Sequence, residues 1–336
     1  MYEQFYGLDA PPFDLTPDPR YLVLTDVHRE ALSNLEYAIA SRKAVTLLIG
    51  EAGTGKTMVI RAAIEKQPAR THCVHLHNPA LTRAEFVQML AVQFSLSENA
   101  RTSKTDLLLE LEQLLRRRRD AQETTVLILD EAQRLEFDLL EEVRLLTNIE
   151  TNAEKLLSVV IAGQPELATR LRDQSLRQLK QRIALRCELR PLILTESVAY
   201  VARRIAAAGG VPSQVFTREA VVLLHEYSRG IPRTINVLAD NALLGGFATG
   251  QRKVTMKLVL DACADFDIAA PLPVRRPAAR QEPASVKAPS ASEALTTSEQ
   301  RVVDSAIPAL LPSPRKRAEQ MSWAAPAFSV LGLRER

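Results

Sequence analysis

Eight consecutive residues, Gly50 to Thr57 (GEAGTGKT), fit the pattern G-x-x-x-x-G-K-[ST]. Each residue type has a chemical reason. Gly50, Gly53 and Gly55 let the chain bend tightly enough for backbone N–H groups to converge on phosphate oxygens. Glu51, Ala52 and Thr54 supply the rest of that loop, and Met58 opens the helix whose positive dipole end faces the same anion. Lys56 has the length and charge to reach β- and γ-phosphates, and the Thr57 hydroxyl is suited to ligate Mg²⁺. A second cluster follows about seventy residues later in TTVLILDE, residues 124–131. Asp130 and Glu131 stand at the end of an apolar run, where open α/β sheets place their sites. Asp130 is expected to hold Mg²⁺, and Glu131 to orient and deprotonate an attacking water. The two motifs together are far more specific than either alone.

These side chains need elements to position them. Val45–Ile49, Val126–Leu129 and Leu156–Ala162 are apolar, β-branched runs typical of buried parallel strands. Thr71–His77 predicts a further strand, and Cys187–Leu189 the last one. Leu156–Ala162 ends in Gly163-Gln164-Pro165, where Gln164 is either a polar group beside the γ-phosphate or a turn residue before Pro165. Upstream, four prolines before Tyr21 predict an extended start, with a helix from Thr25 carrying Ala31, Leu32, Leu35, Ala38 and Ile39 on one face. That segment either frames a purine base or straps the core. Thr82 and Glu85 form a capping box for one helix, and Ser103 or Thr105 opens another. The latter ends in Arg116–Arg119, favoured as a solvated helix end over a contact for an acidic partner or nucleic acid. Phe137–Ile149 predicts an amphipathic helix. In residues 171–192, Leu176, Leu179 and Ile183 predict a helix face, with Arg177, Lys180, Arg182 and Arg186 on others. An arginine there either reaches a neighbouring subunit's nucleotide or is solvated. From Thr195 to Phe266 only helices are expected, making a separate helical subdomain in which Pro232 suits a first turn.

Composition limits the function classes. The 336 residues carry a net charge of +3, which gives no bulk attraction to nucleic acid. Three widely spaced cysteines imply neither a disulfide framework nor a zinc site. His72, His75 and His77 alternate on one strand face and, with no carboxylate or cysteine pattern nearby, are expected to be structural. There is no signal-like start and no apolar run near the ~20 residues of a spanning helix, so a cytoplasmic location is expected. Residues 268–336 hold nine of the 19 prolines, with ten basic against six acidic residues, and predict a disordered tail. Near its end, Arg315–Arg317 precede Trp323, Phe328, Val330, Leu331 and Leu333, a candidate contact for an anionic membrane surface, although an inert end is favoured.

With these motifs in place, the chain resembles the AAA+ ATPases of the general secretion pathway protein A type over residues 1–266. The likeness rests on FYGLDAPPFDLTPDPRYL, HREALSNLEYAI, GEAGTGKT, LDEAQ, LLEEVRLLTNIET, AGQPEL, LRQLKQRI and GIPRTINVL. It is related to ATPases beside exopolysaccharide-export systems and, more distantly, to regulators of DNA transposition. The resemblance implies a three-layer α/β P-loop domain with strand order 5-1-4-3-2 over residues 45–192. An N-terminal strap and helix (1–44), a helical lid (193–266) and a tail (267–336) complete the expected organisation. It further implies ATP and Mg²⁺ as ligands, Gln164 as sensor 1, Arg182 as an arginine finger, Arg233 as a sensor-2 arginine reaching from the lid, and a homo-oligomer with shared sites. An ATPase driving conformational change or assembly of a secretion or polysaccharide-export system is the first expectation. A DNA-binding regulator of transposition and a non-catalytic ATP-controlled switch are the alternatives. Long family members continue into a transmembrane helix and a periplasmic peptidoglycan-binding domain where this sequence ends. Direct envelope binding is therefore not expected of it, and attachment would be peripheral, at the inner face of the cytoplasmic membrane.

Overall fold

A computed structural model describes residues 1–15, 23–77 and 81–268. The tail residues Arg315–Arg317 and Trp323–Leu333, with their membrane-contact expectation, lie outside the described residues.

Five parallel strands form one sheet: β1 (Val45–Gly50), β2 (Thr71–Leu76), β3 (Thr124–Leu129), β4 (Ser158–Gly163) and β5 (Ile183–Leu189). Their order is β2-β3-β4-β1-β5, which is the expected 5-1-4-3-2 read from the other edge. The period of two along each strand divides the sheet into two faces. Val45, Leu47 and Ile49 of β1, with Leu127 and Leu129 of β3, meet one side. There they pack on α4 (Arg83–Gln93), α5 (Glu98–Thr102), α6 (Lys104–Asp120), α7 (Phe137–Leu146), α8 (Pro165–Arg170) and α9 (Arg177–Gln181). Leu48, Val126, Ile128, Val160 and Ala162 meet the other side, against α2 (Asp26–Ala40) and α3 (Lys56–Glu65). Being covered on both faces, the central strands are continuous apolar runs rather than polar-alternating ones.

Several local expectations are realised by specific bonds. Thr82 Oγ1 accepts from the Glu85 N–H and the Glu85 carboxylate accepts from the Thr82 N–H at 2.8 Å, so the capping box at α4 is complete. Ser103 rather than Thr105 caps α6. The basic run closing α6 is partly engaged within the protein: Arg116 pairs with Glu112 one turn back, and Arg118 Nη1 donates to Thr125 Oγ1 at 3.3 Å. Two expectations need correction. The helix expected to run through Ile183 stops at Gln181, and Ile183 begins β5. Alternation of Ile183, Leu185, Cys187 and Leu189 with exposed residues places Arg186 on a strand, not a helix face. The N-terminus also opens with a short helix, α1 (Glu3–Tyr6), not an extended segment, because its prolines begin only at Pro11.

Helices α10 (Leu194–Ala207), α11 (Pro212–Val215), α12 (Arg218–Ser228), α13 (Pro232–Ala248) and α14 (Met256–Asp265) share a separate apolar core. Tyr2, Tyr6, Leu8 and Phe13 belong to that core. Tyr6 Oη donates to the carbonyls of Leu243 and Gln251, and Asp9 N–H donates to the Ala208 carbonyl at 2.8 Å. Arg204 fixes the following stretch by donating to the carbonyls of Pro12 and Asp14. The first residues of the chain thus join the core of these helices, called the lid below, whereas α2 packs on the sheet. Among the described residues, no helix is long and apolar enough to cross a membrane.

Candidate nucleotide site

Strand β1 ends at Gly50 and α3 begins at Lys56, so the intervening loop must turn within five residues. Gly53 (φ +83°) and Gly55 (φ +101°) make that turn in the left-handed region, where a Cβ is strained. At Gly53 a Cβ would also stand 2.7 Å from Arg233 Cβ, so the loop and the lid approach each other with no room for a side chain. Thr54 Oγ1 closes the turn by donating to the Glu51 carbonyl at 2.8 Å. The loop is also braced from behind. His28 on α2 lies between Thr25 Oγ1 (2.7 Å) and the Thr54 carbonyl (2.8 Å), an arrangement that assigns the proton to Nε2. Burial pushes His28 below its ordinary value.

Lys56 is buried, and its Nζ donates to the carbonyls of Gly50 (2.8 Å) and Glu51 (3.1 Å). Burial lowers its pKa, opposed by the nearby carboxylates of Glu131 and Asp130. Thr57 Oγ1 donates to Asp130 Oδ2 at 2.7 Å, which brings together the hydroxyl and carboxylate from the two sequence motifs. Both are hard oxygen donors, the chemistry that Mg²⁺ selects, and the pair fits that ion. Asp130 Oδ1 accepts the Glu131 N–H at 2.9 Å.

Glu131 adopts φ +56° and ψ +34°, a left-handed conformation costing a non-glycine residue on the order of 1 kcal/mol. Its carboxylate is held from two sides: Gln133 Nε2 donates to Oε2 at 2.6 Å and Gln164 Nε2 donates to the same oxygen at 3.3 Å. Gln133 Oε1 in turn accepts the Gln164 N–H at 3.1 Å. Gln164 thus precedes α8 as its N-cap residue, the turn position before Pro165, and its side chain reaches Glu131.

A cavity of about 320 Å³ opens over these groups. Gly53, Thr54, Gly55, Lys56, Thr57, Met58 and Glu131 line it from the sheet side. The lid contributes Leu192, Tyr200, Arg204, Pro232, Arg233 and Asn236, and the N-terminal segment adds Asp14, Leu15, Val23 and His28. Arg233 N–H donates to the Gly53 carbonyl at 3.3 Å, joining α13 to the loop. Gly50, Glu51 and Ala52 form the base of the loop, and Asp130 lies beneath Thr57. Arg182 is elsewhere. It precedes β5 at the opposite end of the sheet, where its Nη1 donates to the Thr147 carbonyl at 3.3 Å.

Sequence reasoning missed His28, Gln133, Tyr200, Arg204 and Asn236. Gln133 could have been found two residues beyond Glu131, and Asn236 one turn beyond Arg233 on the same helix face. The Tyr200 hydroxyl and the Asn236 amide are 2.9 Å apart, a pairing between two lid helices that no local pattern announces. The expectation that no carboxylate accompanies the histidines also needs correction: His72 pairs with Glu123 at 2.7 Å, and His75 Nε2 lies 4.0 Å from Asp130 Oδ2. Burial, then proximity to His77, pushes His75 down to about 4.

Comparison with known proteins agrees with this architecture. Residues 39–171 match the family described as AAA domain. The chain is 41% identical over 254 residues to general secretion pathway protein A of Aeromonas hydrophila, covering 76% of this chain and 46% of that protein. It therefore spans about half the length of that relative. Among solved structures, the Aeropyrum pernix ORC2 protein in its ADPNP-ADP complexes superposes with a TM-score of 0.58 at 18% identity, over 78% of this chain and 72% of that one. The Cdc6p of Pyrobaculum aerophilum gives 0.55 at 15% identity, over 76% and 70%. At such identities these structures show the fold alone. The strand order, the loop between β1 and α3 and the shared sequence make this chain an AAA-domain P-loop protein of the general secretion pathway protein A type.

Proposed function

We propose that this chain hydrolyses ATP to ADP and phosphate, and that turnover drives conformational change or assembly in an envelope secretion or polysaccharide-export system. The observation that carries the hydrolytic part is the convergence of Lys56, the bonded Thr57–Asp130 pair and a clamped Glu131 on one cavity. The secretion context is supported by the relative from Aeromonas hydrophila.

In this reading the backbone N–H groups of Gly53–Thr57 and the ammonium of Lys56 bind the phosphate chain. Lys56 exchanges its two carbonyl partners for phosphoryl oxygens, a trade its partial desolvation favours. Thr57 and Asp130 are the residues that would hold Mg²⁺, which when bound neutralises charge on the β- and γ-phosphoryl oxygens. Glu131 orients the attacking water and takes its proton on Oε1, since Oε2 is already committed to Gln133 and Gln164. Gln164, next to Glu131, and Arg233, from the lid, stabilise the transferring phosphoryl group. Leu15, Val23, Leu192 and Tyr200 offer an apolar wall for the purine base. The protein acts as a homo-oligomer at the cytoplasmic side of the membrane, with Arg182 serving a neighbour's site.

Two substitutions test the assignment. Glu131→Gln is expected to keep nucleotide affinity while lowering kcat by about 100-fold or more. Lys56→Ala is expected to weaken both. Parent-rate hydrolysis by purified Glu131→Gln would remove Glu131 as the base.

A further inference from the structure

His75, His77 and Asp130 converge through the geometry of the sheet. Strands β2 and β3 are paired in parallel with His75 opposite Ile128 and Leu76 opposite Leu129. Residues of one parity therefore share a face. Val126 and Ile128 of β3 meet the α2–α3 side, and the next residue of that parity is Asp130. On β2, Val74 and Leu76 are committed to the other side, which leaves His75 and His77 on the face of Asp130. The bond from Asp130 N–H to the Leu76 carbonyl (3.0 Å) extends the register to the strand ends, where the three side chains meet.

One ligand atom from each of the three lies within 4.8 Å of the others. A tetrahedral cation with bonds of about 2.0–2.1 Å holds its ligands roughly 3.3 Å apart, so small side-chain adjustments close the set. An independent observation points the same way. His75 Nε2 is buried and has no hydrogen-bond partner, and it lies 4.0 Å from Asp130 Oδ2. A buried imidazole nitrogen ordinarily finds a partner, and a metal ion is one that satisfies it. The two imidazole rings are 3.7 Å apart between centroids, and His77 is exposed, so the set opens to solvent on one side.

We propose that His75, His77 and Asp130 form a binding site for a divalent transition cation of the Zn²⁺ class. Two imidazoles and one carboxylate suit Zn²⁺, Co²⁺, Ni²⁺ or Cu²⁺ and discriminate against Mg²⁺, which prefers oxygen ligands. Three protein ligands leave a fourth position for water. Asp130 Oδ2 is also the acceptor for Thr57. Occupation therefore draws that oxygen from the Thr57–Asp130 pair. Resting on the hydrolytic reading above, a further consequence is inhibition of Mg²⁺–ATP turnover by Zn²⁺.

The test uses the full chain without nucleotide. Co²⁺ titration should give the intense visible ligand-field bands of a tetrahedral site, and Zn²⁺ should displace them. His77→Ala, an exposed substitution, and His75→Ala should each weaken binding by at least about tenfold. His72→Ala, at the other end of β2 and paired with Glu123, should leave it unchanged. Identical spectra in the parent, His75→Ala and His77→Ala proteins, or no such bands in the parent, overturn the site. In a separate arm, Zn²⁺ should inhibit ATP hydrolysis of the parent, and His77→Ala should retain the basal rate while resisting Zn²⁺. Equal inhibition of both proteins overturns the inhibitory role. Absence of hydrolysis in the parent would bear on the proposed function alone, because the Co²⁺ arm reads the site independently.

Discussion

Glu131 is the residue at which local strain and chemistry meet. A left-handed backbone at a glutamate is maintained only where neighbours fix it, and here two glutamine amides grip one carboxylate oxygen. Gln133 is the centre of that arrangement, since it donates to Glu131 and accepts the Gln164 N–H. It also accounts for part of the packing around Gly163, where an added Cβ would stand 2.9 Å from its Oε1. Gln133 does not line the cavity, so in the proposed reaction it positions Glu131 rather than binding nucleotide. Gln133→Ala is therefore expected to lower kcat by about 10- to 100-fold, the effect of misplacing a reacting group. Nucleotide affinity, followed with a fluorescent analogue, should stay close to that of the parent. Equal losses in affinity and kcat would show instead that the substitution disturbs the loop.

Among the elements, α2 determines how the phosphate loop is braced, and His28 makes the contact. Its neutral ring uses both nitrogens, with Thr25 and with the Thr54 carbonyl, and the charges of Glu196 and Arg190 act on it in opposite directions. Burial lowers its pKa in the folded state, so below the ordinary histidine value the unfolded chain binds the proton more readily. Its contribution to stability is present above the unfolded pKa and is lost as pH falls towards the folded pKa. The thermal midpoint should accordingly fall on acidification below about pH 6.5. His28→Gln should flatten that slope while lowering stability near neutrality. An unchanged slope would assign it to other groups, such as Glu196, whose carboxylate Arg190 holds low. The legibility of the elements followed their burial. β1, β3 and β4 are covered on both faces and stood out as apolar runs. β5 is an edge strand whose alternation with Arg186 and Glu188 was mistaken at its start for a helix face. The phosphate loop and the Asp130-Glu131 pair were legible because their chemistry is local in sequence. The cavity's upper wall was not, because Tyr200 and Asn236 meet only after the lid has folded. The His75–Asp130 approach needs the β2–β3 register, which no single segment encodes.

At the scale of the whole molecule, the lid touches the phosphate loop through Arg233 and Gly53, while its core incorporates the chain's first residues. A change in nucleotide can thus be felt by the lid and by the N-terminal segment together. Arg182 belongs to a different surface. β5 runs parallel to β1, pairing Val45 with Ile183 and Gly50 with Leu189. The loop lies beyond Gly50 and Arg182 precedes Ile183, so the length of the strand separates them, about 20 Å at 3.3 Å per residue. An arginine side chain does not bridge that distance. Arg182 consequently acts on a neighbouring copy's nucleotide or not at all, and its bond to the Thr147 carbonyl is one that a neighbour's phosphate can outcompete. Specific ATPase activity should then rise with protein concentration as composite sites assemble. Arg182→Ala should lose activity without losing nucleotide affinity, because its own cavity is intact. Mixing Arg182→Ala with Glu131→Gln, each nearly inactive alone, should restore part of the turnover, since the Glu131→Gln subunit supplies an arginine to a site whose base is present. A concentration-independent rate with a fully active Arg182→Ala protein would exclude a shared site built on this arginine.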